Sequence, residues 1–167
     1  MKSRFTWKNL IWMSAIVVSA AGLMSVGAPQ VVQSQEKQVR EAVAQFYVSL
    51  NQMFTGDLTA MKDSWSHAED VVFMGPDGKF LVGWERTLAD FQKEAAMKMG
   101  GNVKATDIHV VLGQDLAVVQ NYEKGDNPNV NVKNQVVSIR ATNVFRLEKG
   151  VWKMIAHHTD PMVLMEK

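Results

Sequence analysis

Ala141 to Pro161 reads A-T-N-V-F-R-L-E-K-G-V-W-K-M-I-A-H-H-T-D-P, and the fold turns on how this stretch is paired. Two apolar runs, rich in β-branched and aromatic residues and each too short for an ordinary helix, flank the polar turn Glu148-Lys149-Gly150. That pattern predicts a β-hairpin. Its far ends bring Asn143 beside His157, His158, Thr159 and Asp160, so most groups able to do chemistry meet in one place. Plain alternation sets Trp152, Met154, Ala156 and His158 on one face and Lys153, Ile155, His157 and Thr159 on the other, unless a bulge shifts the phase. The two adjacent histidines therefore point in opposite directions.

Working outward, Val103 to Leu112 and Leu116 to Tyr122 read as strands around the turn Gly113-Gln114-Asp115, with Glu123 to Asn134 as a polar loop before the hairpin. Trp84, Leu88, Phe91, Ala95 and Met99 recur at helical spacing, which predicts a helix over 84–99 ended by Gly100-Gly101. Val71 to Met74 and Phe80 to Val82 are short strands around the turn Gly75 to Lys79. Further upstream, Val39, Val43, Phe46, Leu50 and Met53 form the apolar stripe of a helix over 35–54, with Tyr47 beside it. Gly56 ends that helix, and Asp57 caps a short one carrying Leu58, Met61 and Trp65 on one face. This order, helix, helix, two strands, helix, then four strands in an antiparallel meander, predicts an α+β cone: a curved sheet with the helices gathered on one side.

The chain has 167 residues, no cysteine, and 18 Lys plus Arg against 17 Asp plus Glu. That balance gives no support to a nucleic-acid partner, and the absence of cysteine excludes disulfides, thiol catalysis and thiolate metal sites. Lys2, Arg4 and Lys8 precede an uninterrupted apolar or small-residue run from Leu10 to Val26, the order of a secretory signal. Residues 1–28 are thus expected to be a signal peptide, or an uncleaved anchor crossing the membrane through residues 10–26. In either case 29–34 is a linker, and a single domain over 35–167 lies outside the cytoplasm, periplasmic or secreted.

Several pieces in sequence order resemble the nuclear transport factor 2-like superfamily, in its SnoaL-like branch. They are Trp65-Ser66-His67, Asp70 to Gly78, Val82-Gly83-Trp84, Thr142-Asn143-Val144-Phe145 and Trp152 to His158. The resemblance implies a cone around a pocket closed by helices, commonly a homodimer through the outer face of the sheet. It also implies a choice among acid-base isomerases, dehydratases and cyclases on one side and members that only bind or assemble on the other. In relatives with Arg at the positions of Asn143 and Thr159 those side chains reach into the pocket. Here the shorter, neutral side chains weaken any anion site.

His157 or His158 could act as a general acid or base, since imidazole titrates near neutral pH; packing at a dimer face or holding a buried partner is the simpler role. Asp160, just before Pro161, could orient a histidine or merely tether a turn. Tyr47, Trp65, Trp84, Asn143 and Thr159 are the candidate ligand-binding residues, set against ordinary core packing for the aromatic ones. His67 and His109 lack ligand spacing, so no metal site is expected, nor any cofactor. No Asp or Glu is placed on an apolar helix stripe, while Val110, Leu112, Val118, Val137 and Ile139 are expected to give the sheet an apolar outer face for a dimer. Three functions follow: binding of a small, mostly apolar ligand, acid-base isomerase, dehydratase or cyclase chemistry, or a non-catalytic dimerisation module. The last would lack an interior cavity of ~300 Å³ or more.

Overall fold

The hairpin at the end of the chain forms as its sequence requires. In the computed structural model, which describes residues 28–126 and 136–161, strands β5 (Val136–Glu148) and β6 (Val151–Thr159) pair antiparallel around Lys149-Gly150. Both turn residues have positive φ, 52° and 85°, which gives a two-residue turn matched to the twist of the flanking strands. Glycine at the second position carries that conformation without a Cβ penalty.

Around it run α1 (Ala28–Thr55), α2 (Thr59–Ser64), β1 (Val72–Met74), β2 (Leu81–Val82), α3 (Trp84–Met97), β3 (Asn102–Leu112) and β4 (Leu116–Asp126). The six strands form one sheet in the order β2-β1-β6-β5-β4-β3. β3 to β6 are the antiparallel meander, but β1 lies parallel to β6, pairing Phe73 with His157. The sheet is therefore mixed. The core lies between its inner face and the helices, built on Val39, Val43, Phe46 and Met53 of α1, Met61, Trp65, Phe91 of α3, and Phe145, Trp152 and Met154 of the hairpin.

Three details differ from the sequence reading. Residues 29–34 belong to α1, because Pro29 sits in the first turn where a missing N–H costs nothing. α3 stops at Met97, where Lys98 turns left-handed and its N–H bonds to the Ala95 carbonyl. β4 continues through Glu123 to Asp126, since the in-out alternation of Asn121, Tyr122, Glu123 and Lys124 persists and the inward polar groups find partners. Residues 127–135, the rest of the expected loop, lie outside the described residues, as do the leader to residue 27 and the tail from 162. Among the described residues no helix is long and apolar enough to cross a membrane.

A bulge interrupts each outer part of the meander. On β6, Val144 pairs Ala156 while Phe145 pairs Met154, leaving Ile155 as the extra residue. Trp152, Met154, His157 and Thr159 are consequently all inward, and His158 is outward. On β3 the register shifts between Thr106 and His109, around Asp107 at φ 55°. Val110 and Leu112 thereby pack against the core, and Ile139 also faces inward, so these three do not contribute to the outer face. The outer apolar row is instead Val82, Val72, Ala156, Val144, Val118 and Val111, one residue from each strand in register. Val82 and Val111 are exposed.

Candidate functional site

Between α1, α3 and the inner face lies a cavity of about 110 Å³, walled by Phe46, Met53, Met61, Phe73 and Phe91, with Leu50, Phe54, Met99 and Val103 around them. It is smaller than the ~300–1,000 Å³ of pockets for drug-sized ligands. It approaches the ~150 Å³ apolar cavity that accommodates a benzene ring. Four titratable groups break the apolar lining: Glu94 from α3, Glu123 and Asp126 from β4, and His157 from β6.

Behind the lining runs a closed polar network. Asn121 Nδ2 donates to the Tyr122 backbone carbonyl at 3.1 Å and to Tyr47 Oη at 2.8 Å. Because a backbone carbonyl can only accept, the Asn121 amide has one allowed orientation, with Oδ1 facing Asn143. Asn143 Nδ2 donates to that oxygen at 3.0 Å, which leaves Asn143 Oδ1 as the acceptor for His157 Nδ1 at 2.6 Å. Tyr47, already accepting from Asn121, donates its hydroxyl proton to Glu123 Oε1 at 3.0 Å. Every proton in the chain is thereby directed, from His157 round to Glu123.

The consequence for His157 is a fixed tautomer: Nδ1 carries the proton and Nε2 is bare. Burial, aided by the neighbouring His158, pushes its pKa down to about 3, so the ring is neutral at physiological pH. Nε2 lies 3.8 Å from Glu123 Oε1, too far for a hydrogen bond, and a neutral ring makes no ion pair there. The imidazole is held between Phe46, at 5.2 Å between centroids, and Phe73, stacked at 5.7 Å and 14°.

Burial also acts on the two carboxyls. Desolvation raises Glu123 to about 7 against the opposing bond from Tyr47. It raises Glu94 to about 7 with help from Asp90 and Asp77. The Tyr47 hydroxyl is pushed well above its ordinary value by burial and by Glu123. At neutral pH the cavity thus offers two carboxyls poised between forms and one neutral base.

Of the residues singled out in the sequence, the network joins Tyr47, Asn143 and His157, and His157 also lines the cavity. Thr159 is buried on the inner face with its hydroxyl unpartnered among the described residues. Trp65 is core, edge-on to Phe46, Phe73 and Phe91. Trp84 is half-buried and stacks on His67 at 4.4 Å, away from the cavity wall. His158 is exposed on the outer face, where Asp160 forms a two-point ion pair with Arg140. The two histidines do point oppositely, and it is His157 that turns inward.

Three residues were missed. Glu94 lies three positions after Phe91, on the buried side of α3, contrary to the expectation that no carboxyl would. Glu123 and Asn121 continue the inward alternation of Ala117 and Val119, a signal that was present but ended one pair too early at Tyr122. Asp77, Asp90 and Glu94 also stand close enough to share a cation. The Lys79 ammonium, however, bridges Asp77 at 2.5 Å and Asp90 at 2.9 Å, and those carboxylates hold its pKa up. That arrangement reads as an internal ion pair fastening the 75–79 turn to α3.

The family model of the SnoaL-like domain matches residues 39–163, and the chain belongs to this family. Among solved structures it is similar to a proposed dehydratase of the nuclear transport factor 2-like family from Streptomyces avermitilis, at 24% identity over 79% of this chain and 99% of that one, TM-score 0.66. A nuclear transport factor 2-like protein of unknown function from Pseudomonas putida aligns with TM-score 0.66 at 16% identity, over 77% and 87% of the two chains. A proposed calcium/calmodulin-dependent protein kinase type II association domain from Thiobacillus denitrificans gives 0.62 at 21%, over 74% and 94%. At these identities the likeness establishes the fold alone. No curated protein sequence matches the chain.

Proposed function

We propose that this SnoaL-like protein binds a small, mostly apolar molecule in its interior cavity, with one polar end of the ligand against His157 and Glu123. The observation that carries this reading is the bare Nε2 of a buried, neutral histidine on an aromatic cavity wall. That nitrogen opens onto the cavity, and a donor brought by a ligand would satisfy it, a gain on the order of 0.5–1.5 kcal/mol for one hydrogen bond. The cavity volume of about 110 Å³, below the ~300 Å³ of an ordinary ligand pocket, by itself favours an assembly module; the polar groups on its wall are what support binding. Native mass spectrometry of the full chain from its own host tests the reading. A bound compound, displaced in a Val103→Phe variant that fills the cavity, is the expected result; an empty chain under every ligand-retaining condition would contradict it.

Acid-base catalysis of the isomerase or dehydratase kind is the second reading, favoured by the pairing of a neutral base with carboxyls near pKa 7. His157 and Glu123 would be the catalytic residues. His158 and Asp160, on the other side of the sheet, have no part in it. Deuterium exchange next to the carbonyl of small ketones and aldehydes, faster with the protein and lost in Glu123→Gln, is the expected outcome; no acceleration with any of them would count against it.

Export and self-association complete the proposal. The charged-then-apolar leader supports export, to be checked by the mature N-terminus in mass spectrometry. The six-residue apolar row on the outer face supports a homodimer that covers it. Sedimentation at micromolar concentration should give a dimer that Val118→Lys dissociates, and monomer alone in the wild type would refute it.

A further inference from the structure

We propose that the ligand of this cavity is a small hydroxylated aromatic, a monocyclic phenol, whose O–H donates to His157 Nε2 while its ring fills the space between Phe46, Phe73 and Phe91. The inference rests on the binding role proposed above and specifies its chemistry.

Three observations converge on that class. Size comes first: about 110 Å³, somewhat below the ~150 Å³ cavity that takes benzene, leaves room for no more than one six-membered ring. The walls are the second. Phe46, Phe73 and Phe91 surround the space, and Phe73 and Phe91 already meet edge-on at 5.0 Å, the arrangement that another ring would extend. The third is the polarity of the bare imidazole nitrogen. The directed network fixes the Nδ1 proton toward Asn143, so Nε2 can only accept. A ketone, ether or carboxylate has no proton to give it, whereas a phenol is a strong donor.

Glu123 sharpens the fit. Its Oε1 is 3.8 Å from Nε2, and an oxygen placed ~2.8 Å from each spans that gap, donating its own proton to Nε2 and accepting one from Glu123 in its protonated form. Tyr47 donates to the same Oε1, so the ligand hydroxyl would join a phenol–carboxyl arrangement the fold already contains. A cyclohexanol would satisfy Nε2 but is thicker than the flat ring the aromatic walls favour. Toluene would match the shape and leave Nε2 bare.

Calorimetric titration of the full chain with phenol and with toluene decides the matter, since the two differ only by hydroxyl against methyl. Phenol is expected to bind about tenfold tighter, the effect of satisfying one buried acceptor. In His157→Phe that preference should be lost, with toluene binding at least as tightly as phenol, whose hydroxyl must still give up water. Toluene binding as well as phenol would leave the cavity reading standing and overturn the phenol assignment, as would a His157→Phe variant that keeps the preference. Neither compound binding would overturn both. Should His157→Phe fail to fold, the ¹⁵N signal of His157 Nε2 in the wild type serves instead. It is expected to shift on adding phenol but not toluene, and an unmoved signal would overturn the assignment.

Discussion

His157 and His158 are consecutive residues of one strand, and they live in different media. The first is buried on the inner face, neutral, sandwiched between two phenylalanines and tied by a directed hydrogen-bond chain to four other side chains. The second is exposed on the outer face, in the row His109-Gln120-Thr142-His158 that crosses the meander beside the valine row. Residue type does not separate them. The pleat of the sheet does, and what it teaches is that chemistry in this fold is assigned by the parity of a strand position before it is assigned by the identity of the side chain.

The sharpest way to break that contrast is to cut the inner network and its outer counterpart at neighbouring positions. Asn143→Ala removes the partner of both Asn121 Oδ1 and His157 Nδ1, leaving two buried polar groups unsatisfied at ~1–3 kcal/mol each. A loss of about 3 kcal/mol in denaturant unfolding is expected. Thr142→Ala, one residue away on the outer face, should cost at most ~0.5 kcal/mol. Equal costs would mean that the network adds nothing beyond ordinary packing.

Proton linkage gives a second, somewhat smaller contrast. Between about pH 4.5 and 6.5 the native state retains protons on Glu94 and Glu123 that the unfolded chain has lost. It also refuses one on His157 that the unfolded chain accepts. The native chain thus holds one proton more at this site. Its contribution to stability should fall as pH rises through this window, by roughly 1.4 kcal/mol per pH unit at most. In the double variant Glu94→Gln, Glu123→Gln only the histidine remains, and the slope should reverse to a rise with pH. Chemical unfolding at pH 4.5, 5.5 and 6.5 measures both signs.

A third test concerns the bulge. Deleting Ile155 should leave Trp152, Met154 and His157 inward on a regular strand, at a cost of about 1–3 kcal/mol for the lost half-buried side chain and the altered twist. The His157 imidazole signal should keep its buried, neutral character. A ring that becomes solvent-exposed would place the extra residue elsewhere. The smallest change is expected from Arg140→Gln, which breaks the exposed pair with Asp160 and should barely move the melting temperature.

Much of this architecture was legible in the sequence because the signals were redundant. The final hairpin is marked by length, composition and a Lys-Gly turn together. The helices are marked by stripes such as Val39, Val43, Phe46, Leu50 and Met53. The SnoaL-like resemblance rested on the same residues. The parallel β1–β6 pairing was not legible, since β1 has three residues and nothing local states its partner. Nor was the site. Glu94, Asn121 and Glu123 look like surface residues by type, and polar side chains in strands are normally a sign of the outer face. They are tolerated inside because they satisfy one another, a condition met only in three dimensions. The bulge on β3 hid the phase in the same way, which is why Val110 and Leu112 were assigned to the wrong side; Ile139 has no such excuse, since alternation from Asn143 and Ala141 already turns it inward.

The measurement closest to the centre of this account is the ¹⁵N spectrum of labelled histidine, assigned to His157 and followed from pH 5 to 8. A neutral ring throughout, protonated at Nδ1 and bare at Nε2, is the result that the directed network requires. A cationic ring at pH 6, or a proton on Nε2, would contradict it and remove the acceptor on which the proposed ligand depends.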